Sequence, residues 1–171
     1  MSDKPNEAWG PPRSKTVSWY DPSIVAAEAR RLQGREFAQS VIDGSLPHSP
    51  SACLLGFRIV EAGEGEVRFL FVPDESTYNP IGMVHGGVLC TVLDTAAGCA
   101  VHTLLPVGVG YSSIEIKVSF LKSVRADDRA IEVIGRALRV GRRVAFAEAA
   151  AHDGDGELVA HATASFAILE G

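Results

Sequence analysis

From Gly86 to Leu105 the chain carries almost nothing but apolar and small residues. Wound into a helix, Val88, Leu89, Val92, Leu93, Ala96, Ala97, Ala100, Val101 and Leu104 leave no polar face. Such a helix has to be covered all round, and this requirement constrains the fold more than any other segment. The run is long enough to suit a bilayer. Asp94 and His102 interrupt it, however, and it lacks basic flanks and aromatic anchors. It therefore predicts a buried central helix, ended by Pro106 and Gly108.

The flanking segments read as strands. Cys53 to Glu61 and Glu66 to Val72 are short apolar runs joined by Gly63-Glu64-Gly65, a hairpin signal. Val67, Phe69 and Phe71 alternate with Glu66, Arg68 and Leu70, as on a strand with one buried face. Pro73 to Pro80 reads as a loop. After the helix come Tyr111 to Lys122, Arg129 to Val140, Val144 to Asp153 and Leu158 to Ile168. Gly141-Arg142-Arg143 and Asp153-Gly154-Asp155-Gly156 supply their turns. The order is strand, strand, long helix, four strands. A curved antiparallel sheet covers one side of the helix, and a second copy of the chain is a means of covering the other.

The first fifty residues form an extension, and residues 51–171 form the main domain. Met1 to Tyr20, polar with Pro11-Pro12, reads as disordered or loosely attached. Asp21-Pro22 reads as an N-cap followed by Pro in the first turn. A helical pattern runs from Ser23 to Ile42, is open to a break at Gly34, and ends at Gly44 and Pro47. This extension is expected to cover a sheet edge or an oligomer contact.

A formal net charge of -5 argues against a general nucleic-acid binder. Cys53, Cys90 and Cys99 have no Cys-x-x-Cys spacing and read as reduced thiols. With no apolar leader-like segment near Met1, they point to a cytoplasmic protein with no membrane partner. His48, His102, His152 and His161 lack metal-ligand spacing, so no metal is expected.

The chemistry concentrates at Asn79-Pro80-Ile81-Gly82-Met83-Val84-His85-Gly86-Gly87 and at Asp94. An ionised carboxylate in apolar surroundings is costly unless it is paired or functional. A helix starting at the Gly pair presents free N–H groups to an anion or oxyanion. Carboxylate and donor together suggest attack on an acyl carbon. Their spacing adds a condition. Gly86 and Asp94 are eight positions apart, roughly 12 Å along a helix. Groups acting on one carbonyl must each lie within about 3 Å of the reacting atoms. One chain therefore does not readily supply both. Two helices antiparallel across a two-fold axis bring Gly86 of one chain to Asp94 of the other and create two equivalent sites.

The combined pattern of Asn79, Gly82, His85-Gly86-Gly87, Asp94 and the strand from Tyr111 to Phe120 resembles the PaaI-like acyl-CoA thioesterases. These belong to the hotdog-fold superfamily of the 4-hydroxybenzoyl-CoA thioesterase type. The resemblance covers about Cys53 to Leu169. It implies an α+β hotdog fold, a curved antiparallel β-sheet wrapped around a long central α-helix. It also implies hydrolysis of an acyl- or aryl-CoA thioester to a free acid and coenzyme A. Coenzyme A is then part of the substrate, and no further cofactor is implied. By the same resemblance Asp94 is general base or nucleophile, and Gly86 donates its backbone N–H to the thioester oxygen. Asn79 holds the carbonyl or the attacking water, and Ser113, or the adjacent Ser112, lies beside that water. His85 acts as an acid or orients the turn. Gly87 and Phe120 border the substrate, and Arg139, Val140, Gly141, Arg142 and Arg143 contact coenzyme A. The resemblance further implies dimers paired into tetramers.

A Gly-x-Ser-x-Gly elbow, a Walker loop and a dinucleotide fingerprint are all missing. The competing reading is a hotdog protein that binds acyl-CoA as a sensor or regulator without hydrolysing it. Asp94 separates the two, because a binder needs no carboxylate beside the thioester.

Overall fold

The structure, a computed structural model, describes residues 7–126 and 129–170. Its centre is α4 (Gly86–His102), preceded by α1 (Pro22–Ala29), α2 (Gly34–Ile42) and α3 (Pro50–Leu55). Six strands form one antiparallel sheet: β1 (Phe57–Ala62), β2 (Glu66–Phe71), β3 (Gly110–Phe120), β4 (Ile131–Val140), β5 (Val144–His152) and β6 (Leu158–Leu169). Their spatial order is β1-β2-β4-β5-β6-β3. This is the α+β hotdog arrangement that the family resemblance implies.

The sheet grips α4 through small residues. Ala145, Ala147, Ala149 and Ala151 of β5 and Ala160, Ala162 and Ala164 of β6 are buried beneath it. Gly135 of β4 brings the sheet closest. A Cβ built there would lie 2.2 Å from the Ala96 carbonyl oxygen, so only glycine allows this approach. Val92, Leu93, Ala96, Ala97, Ala100 and Val101 form the buried face of the helix.

The expectation that α4 is covered all round is not met within one chain. Val88, Cys90, Thr91, Asp94 and Thr95 are only half-buried, so the carboxylate is not enclosed. Beside this open face lies β3, a sheet edge of 11 residues with no strand on its outer side among the described residues. Ile114 and Phe120 of that strand are 60% and 54% exposed.

The strand expected from Cys53 to Glu61 is replaced by a helix and a shorter strand. Ser49 accepts a hydrogen bond from the Ala52 N–H, Pro50 opens α3, and Gly56 closes it with φ of 81° before β1 begins. These cap signals outweigh the apolar run Cys53-Leu54-Leu55, which has no decisive period. Asp21 caps α1 as expected, accepting from the Ser23 N–H. The helical pattern does break, into α1 and α2, and Gly34 opens α2. A Cβ at Gly34 would lie 1.7 Å from the His102 carbonyl oxygen, so α2 presses directly on the end of α4.

Nor are residues up to Tyr20 loose throughout. Glu7–Trp9 form a 3-10 turn, and the strap after it is tied by Arg13 to Glu75 and by Lys15 to Asp74. Residues 1–6, also part of the expected disordered stretch, lie outside the described residues. Among the described residues no helix is long and apolar enough to cross a membrane.

Candidate active site

Asp94 projects from the open face of α4 toward β3. Ser113 Oγ donates to its Oδ1 at 2.9 Å. Ser113, rather than its neighbour Ser112, is the serine in contact with the helix carboxylate. Cys90, Thr91, Asp94, Ser113, Ile114 and Ile116 line a shallow open cleft around this pair.

At the other end of the open face, the loop before α4 is closed by a bridge between Tyr78 and Val84. Asn79 organises it. Its Oδ1 accepts from the N–H groups of Ile81 and Met83, each at 3.1 Å, and Gly82 completes the turn with φ of 76°. The Asn79 oxygen is thus engaged by its own loop, and its side-chain N–H donors take no part in those bonds.

His85 is the N-cap of α4, and its Nδ1 accepts from the Gly87 N–H at 2.9 Å. A Cβ at Gly87 would lie 3.0 Å from that nitrogen, so the glycine makes room for the ring. With Gly87 capped, the Gly86 N–H has no acceptor among the described residues. The Phe120 ring covers Gly86, with its Cζ 3.0 Å from where a Cβ would stand. Gly86, Gly87, His85 and Phe120 therefore form one cluster at the start of α4, and Asp94 and Ser113 form another. The helix between them is unbroken, so the two remain roughly 12 Å apart along its axis.

The third predicted group lies elsewhere. Arg139 and Val140 end β4, and Gly141 closes the turn into β5, donating to the Val144 carbonyl oxygen at 3.0 Å. Arg142 lies 3.8 Å from Glu170, and the Arg143 carbonyl oxygen accepts from the Ile168 N–H. This turn lies toward the C-terminal end of α4, because Gly65 packs against both Leu104 and Ala137. Within one chain the arginine turn and Gly86 thus flank opposite ends of a helix about 25 Å long.

Two residues near the carboxylate are not singled out by sequence pattern. Thr91 donates its hydroxyl to the Gly87 carbonyl oxygen at 2.9 Å, and Thr95 donates to the Thr91 carbonyl oxygen at 2.8 Å. Each hydroxyl is thus satisfied by its own helix and not by Asp94. Tyr111 is a further wall. Its ring fills the space over Gly98, where a Cβ would meet it at 2.5 Å. Burial pushes the Tyr111 hydroxyl well above the usual tyrosine range, with Cys99 and Asp94 adding to the effect.

Comparisons with known proteins agree with this architecture. Residues 81–160 match the family model described as the thioesterase superfamily. An esterase candidate of Halobacterium salinarum is 35% identical over 99 residues, which is 55% of this chain and 64% of that protein. Another of Saccharolobus solfataricus is 30% identical over 112 residues, 66% of this chain and 71% of that protein. The chain therefore spans somewhat under two thirds of the first relative's length. Among solved structures, a thioesterase candidate of Ralstonia eutropha, described as phenylacetic acid degradation-related, is 29% identical with a TM-score of 0.69. That alignment covers 76% of this chain and 98% of the other. A hypothetical thioesterase of Streptococcus pneumoniae, solved with coenzyme A, shares the fold at 23% identity and a TM-score of 0.61, covering 67% of this chain and 86% of the other. On the architecture, the family model and the extent of the Saccharolobus match, the chain belongs to the thioesterase superfamily.

Proposed function

We propose that the protein hydrolyses an acyl-CoA thioester at sites shared between two chains. Asp94 is the general base or the nucleophile, and Gly86 of the partner subunit donates its N–H to the oxyanion. The observation that carries this reading is the pairing of Asp94 with Ser113 in an open cleft, while the Gly86 N–H has no acceptor at the other end of the same helix face.

In the base route Asp94 takes a proton from water held by Ser113, and the water oxygen bonds to the thioester carbon. The carbonyl electrons move onto oxygen, where the Gly86 N–H of the partner subunit stabilises the charge. Collapse of this intermediate breaks the C–S bond, and the thiolate of coenzyme A leaves with the proton. In the nucleophile route Asp94 attacks the carbon itself and the C–S bond breaks, expelling the coenzyme A thiolate and giving a mixed anhydride that water cleaves to the free acid and the regenerated Asp94 carboxylate. His85 serves by capping the turn that aims Gly86, and Asn79 by bracing the loop and offering its amide N–H donors to the carbonyl or the water.

Two features support dimerisation. The face of α4 around Asp94 is open, and the edge strand β3 beside it has no strand on its outer side among the described residues, an edge that can pair with a second chain. A two-fold axis that sets two α4 helices antiparallel also moves the partner's arginine turn from the far end of the helix to the Gly86 end. There Arg139, Arg142 and Arg143 are suited to the phosphates of coenzyme A, the ligand of the Streptococcus neighbour. Lys122 is less suited, because it already bonds Asp153 and Glu157.

The test is a panel of aryl- and fatty acyl-CoA esters assayed by thiol release, with Asp94→Ala and Asp94→Asn as controls. Hydrolysis abolished by both substitutions supports the reading. Hydrolysis that Asp94→Asn leaves intact overturns the role of Asp94, and tight acyl-CoA binding with no turnover of any ester favours a sensor.

A further inference from the structure

A partly open apolar cavity lies one helix face away from Asp94. Its volume is ≈ 190 Å³. The floor is α4, through Thr95, Cys99 and His102, and one wall is Phe57, Ile59 and Phe69 of the first hairpin. The roof comes from the N-terminal segment, chiefly Phe37, Ala38 and Val41 of α2 and Ala52 of α3. This roof precedes residues 81–160, the part that matches the superfamily model.

The cavity reaches α4 at the residue that follows Asp94. Thr95 directly follows Asp94, which turns it about 100° round the helix and moves it only about 1.5 Å along the axis. Thr91 lines the Asp94 cleft and Thr95 lines the cavity, and both hydroxyls are taken up by helix carbonyls. The lining carries no charge that would favour an ionised group. Burial lowers the His48 and His102 pKa values, with Arg58 adding to the effect at His48, which favours the uncharged rings. His102 is moreover held between the rings of Phe37 and Tyr111, each with its centroid 5.5 Å away.

We propose that this cavity receives the acyl group, and that α2, through Phe37 and Ala38, limits it to a compact uncharged group of about benzene size. An apolar cavity of about 150 Å³ holds benzene, so ≈ 190 Å³ admits a ring or a short chain but no long fatty tail. The inference rests on the thioesterase reading for its chemistry, but the cavity's occupancy can be measured without turnover.

The experiment has two readouts. The first is kcat/KM for acetyl-, phenylacetyl-, hexanoyl- and lauroyl-CoA in wild type, Ala38→Leu and Phe37→Ala. Ala38→Leu fills the roof, and the ratio of phenylacetyl to acetyl turnover is expected to fall by about tenfold or more, mainly through KM. Phe37→Ala opens the roof and is expected to raise lauroyl relative to phenylacetyl turnover by a similar factor. The second readout is fluorine NMR of a non-hydrolysable 4-fluorophenacyl thioether of coenzyme A. Its resonance is expected to shift on binding wild type and to lose that shift in Ala38→Leu. Wild type that turns over no ester but shifts the resonance in an Ala38-dependent way sinks the hydrolase reading and keeps the pocket. Turnover ratios and a fluorine shift unmoved by either folded variant overturn the pocket and leave the hydrolase reading intact. If Ala38→Leu does not fold, Phe37→Ala alone decides.

Discussion

Ser113 on the edge strand donates its hydroxyl to Asp94 on the central helix at 2.9 Å, joining the sheet edge to the open face of α4. A hydroxyl in that position fixes the carboxylate rotamer and leaves the second oxygen of Asp94 for a water or an acyl carbon. Asp94→Asn keeps the shape and the hydrogen bond but removes the base. Turnover is expected to drop by about 10²–10⁴ with an unchanged melting temperature. Ser113→Ala removes only the orienting contact, and about a tenfold loss in kcat is expected. Thiol-release kinetics with thermal melts decide the matter; equal losses for the two variants contradict this division of labour.

A second prediction concerns the approach of sheet and helix. At Gly135 an added Cβ meets the backbone of Ala96 at 2.2 Å, which no rotamer change relieves. At Gly82 the φ of 76° disfavours other residues, but nothing stands within 4 Å of an added Cβ. Gly135→Ala is expected to cost more than about 3 kcal/mol or to prevent folding. Gly82→Ala should cost about 1–2 kcal/mol, the penalty of a left-handed conformation. Urea titration of both variants is the measurement, and the reverse order contradicts the packing described.

Much of this architecture is legible in the chain because it rests on strong local patterns. The apolar run after Gly86 admits a central helix, and the alternation along Ile114, Ile116, Val118 and Phe120 marks a strand. Local patterns fail where caps compete with composition. Ser49, Pro50 and Gly56 turn an apolar stretch into α3, against its reading as a strand. They fail again where an interaction is long-range. Nothing near Arg13 or Lys15 signals that Glu75 and Asp74 anchor them, and nothing near Gly98 signals that the Tyr111 ring needs its space. At the site, the residue types and the eight-position spacing were readable. That His85 caps Gly87 with its ring and leaves the Gly86 N–H without an acceptor is a matter of rotamer, and no sequence spacing encodes it.

A third prediction follows from Cys99. Burial pushes its thiol up to about 11 from about 9, so the native state keeps it neutral where the unfolded chain would ionise it. A folded value above the unfolded one gives a contribution that is complete below pH 9 and is lost as the pH rises toward 11. In Cys99→Ala the fall of unfolding free energy across that window is expected to be shallower, with Tyr111 accounting for part of the remaining slope. Denaturant melts from pH 8 to 11 test this, and identical slopes in the two proteins would falsify it.

The separation of Gly86 from Asp94 allows a decisive test of site sharing. Gly86→Pro removes the proposed donor because proline has no N–H. The helix backbone suits it, since proline fits a first helical position and His85, with ψ of 133°, already has the extended backbone a following proline needs. The exposed Phe120 ring, 3.0 Å from where the Cβ would stand, has to turn aside. Asp94→Asn removes the base instead. Each variant alone is expected to be nearly inactive. If the variants are unfolded together and refolded, random pairing makes about half of the dimers mixed, and each mixed dimer has one site with an intact Asp94 and an intact Gly86 from opposite chains. Activity should therefore return to roughly a quarter of the wild-type value. A site built within one chain predicts no recovery, because every mixed dimer then holds one defect in each site. Recovery measured against separately refolded variants distinguishes the two, and its absence in a mixture shown by native mass spectrometry to contain mixed dimers excludes the shared site.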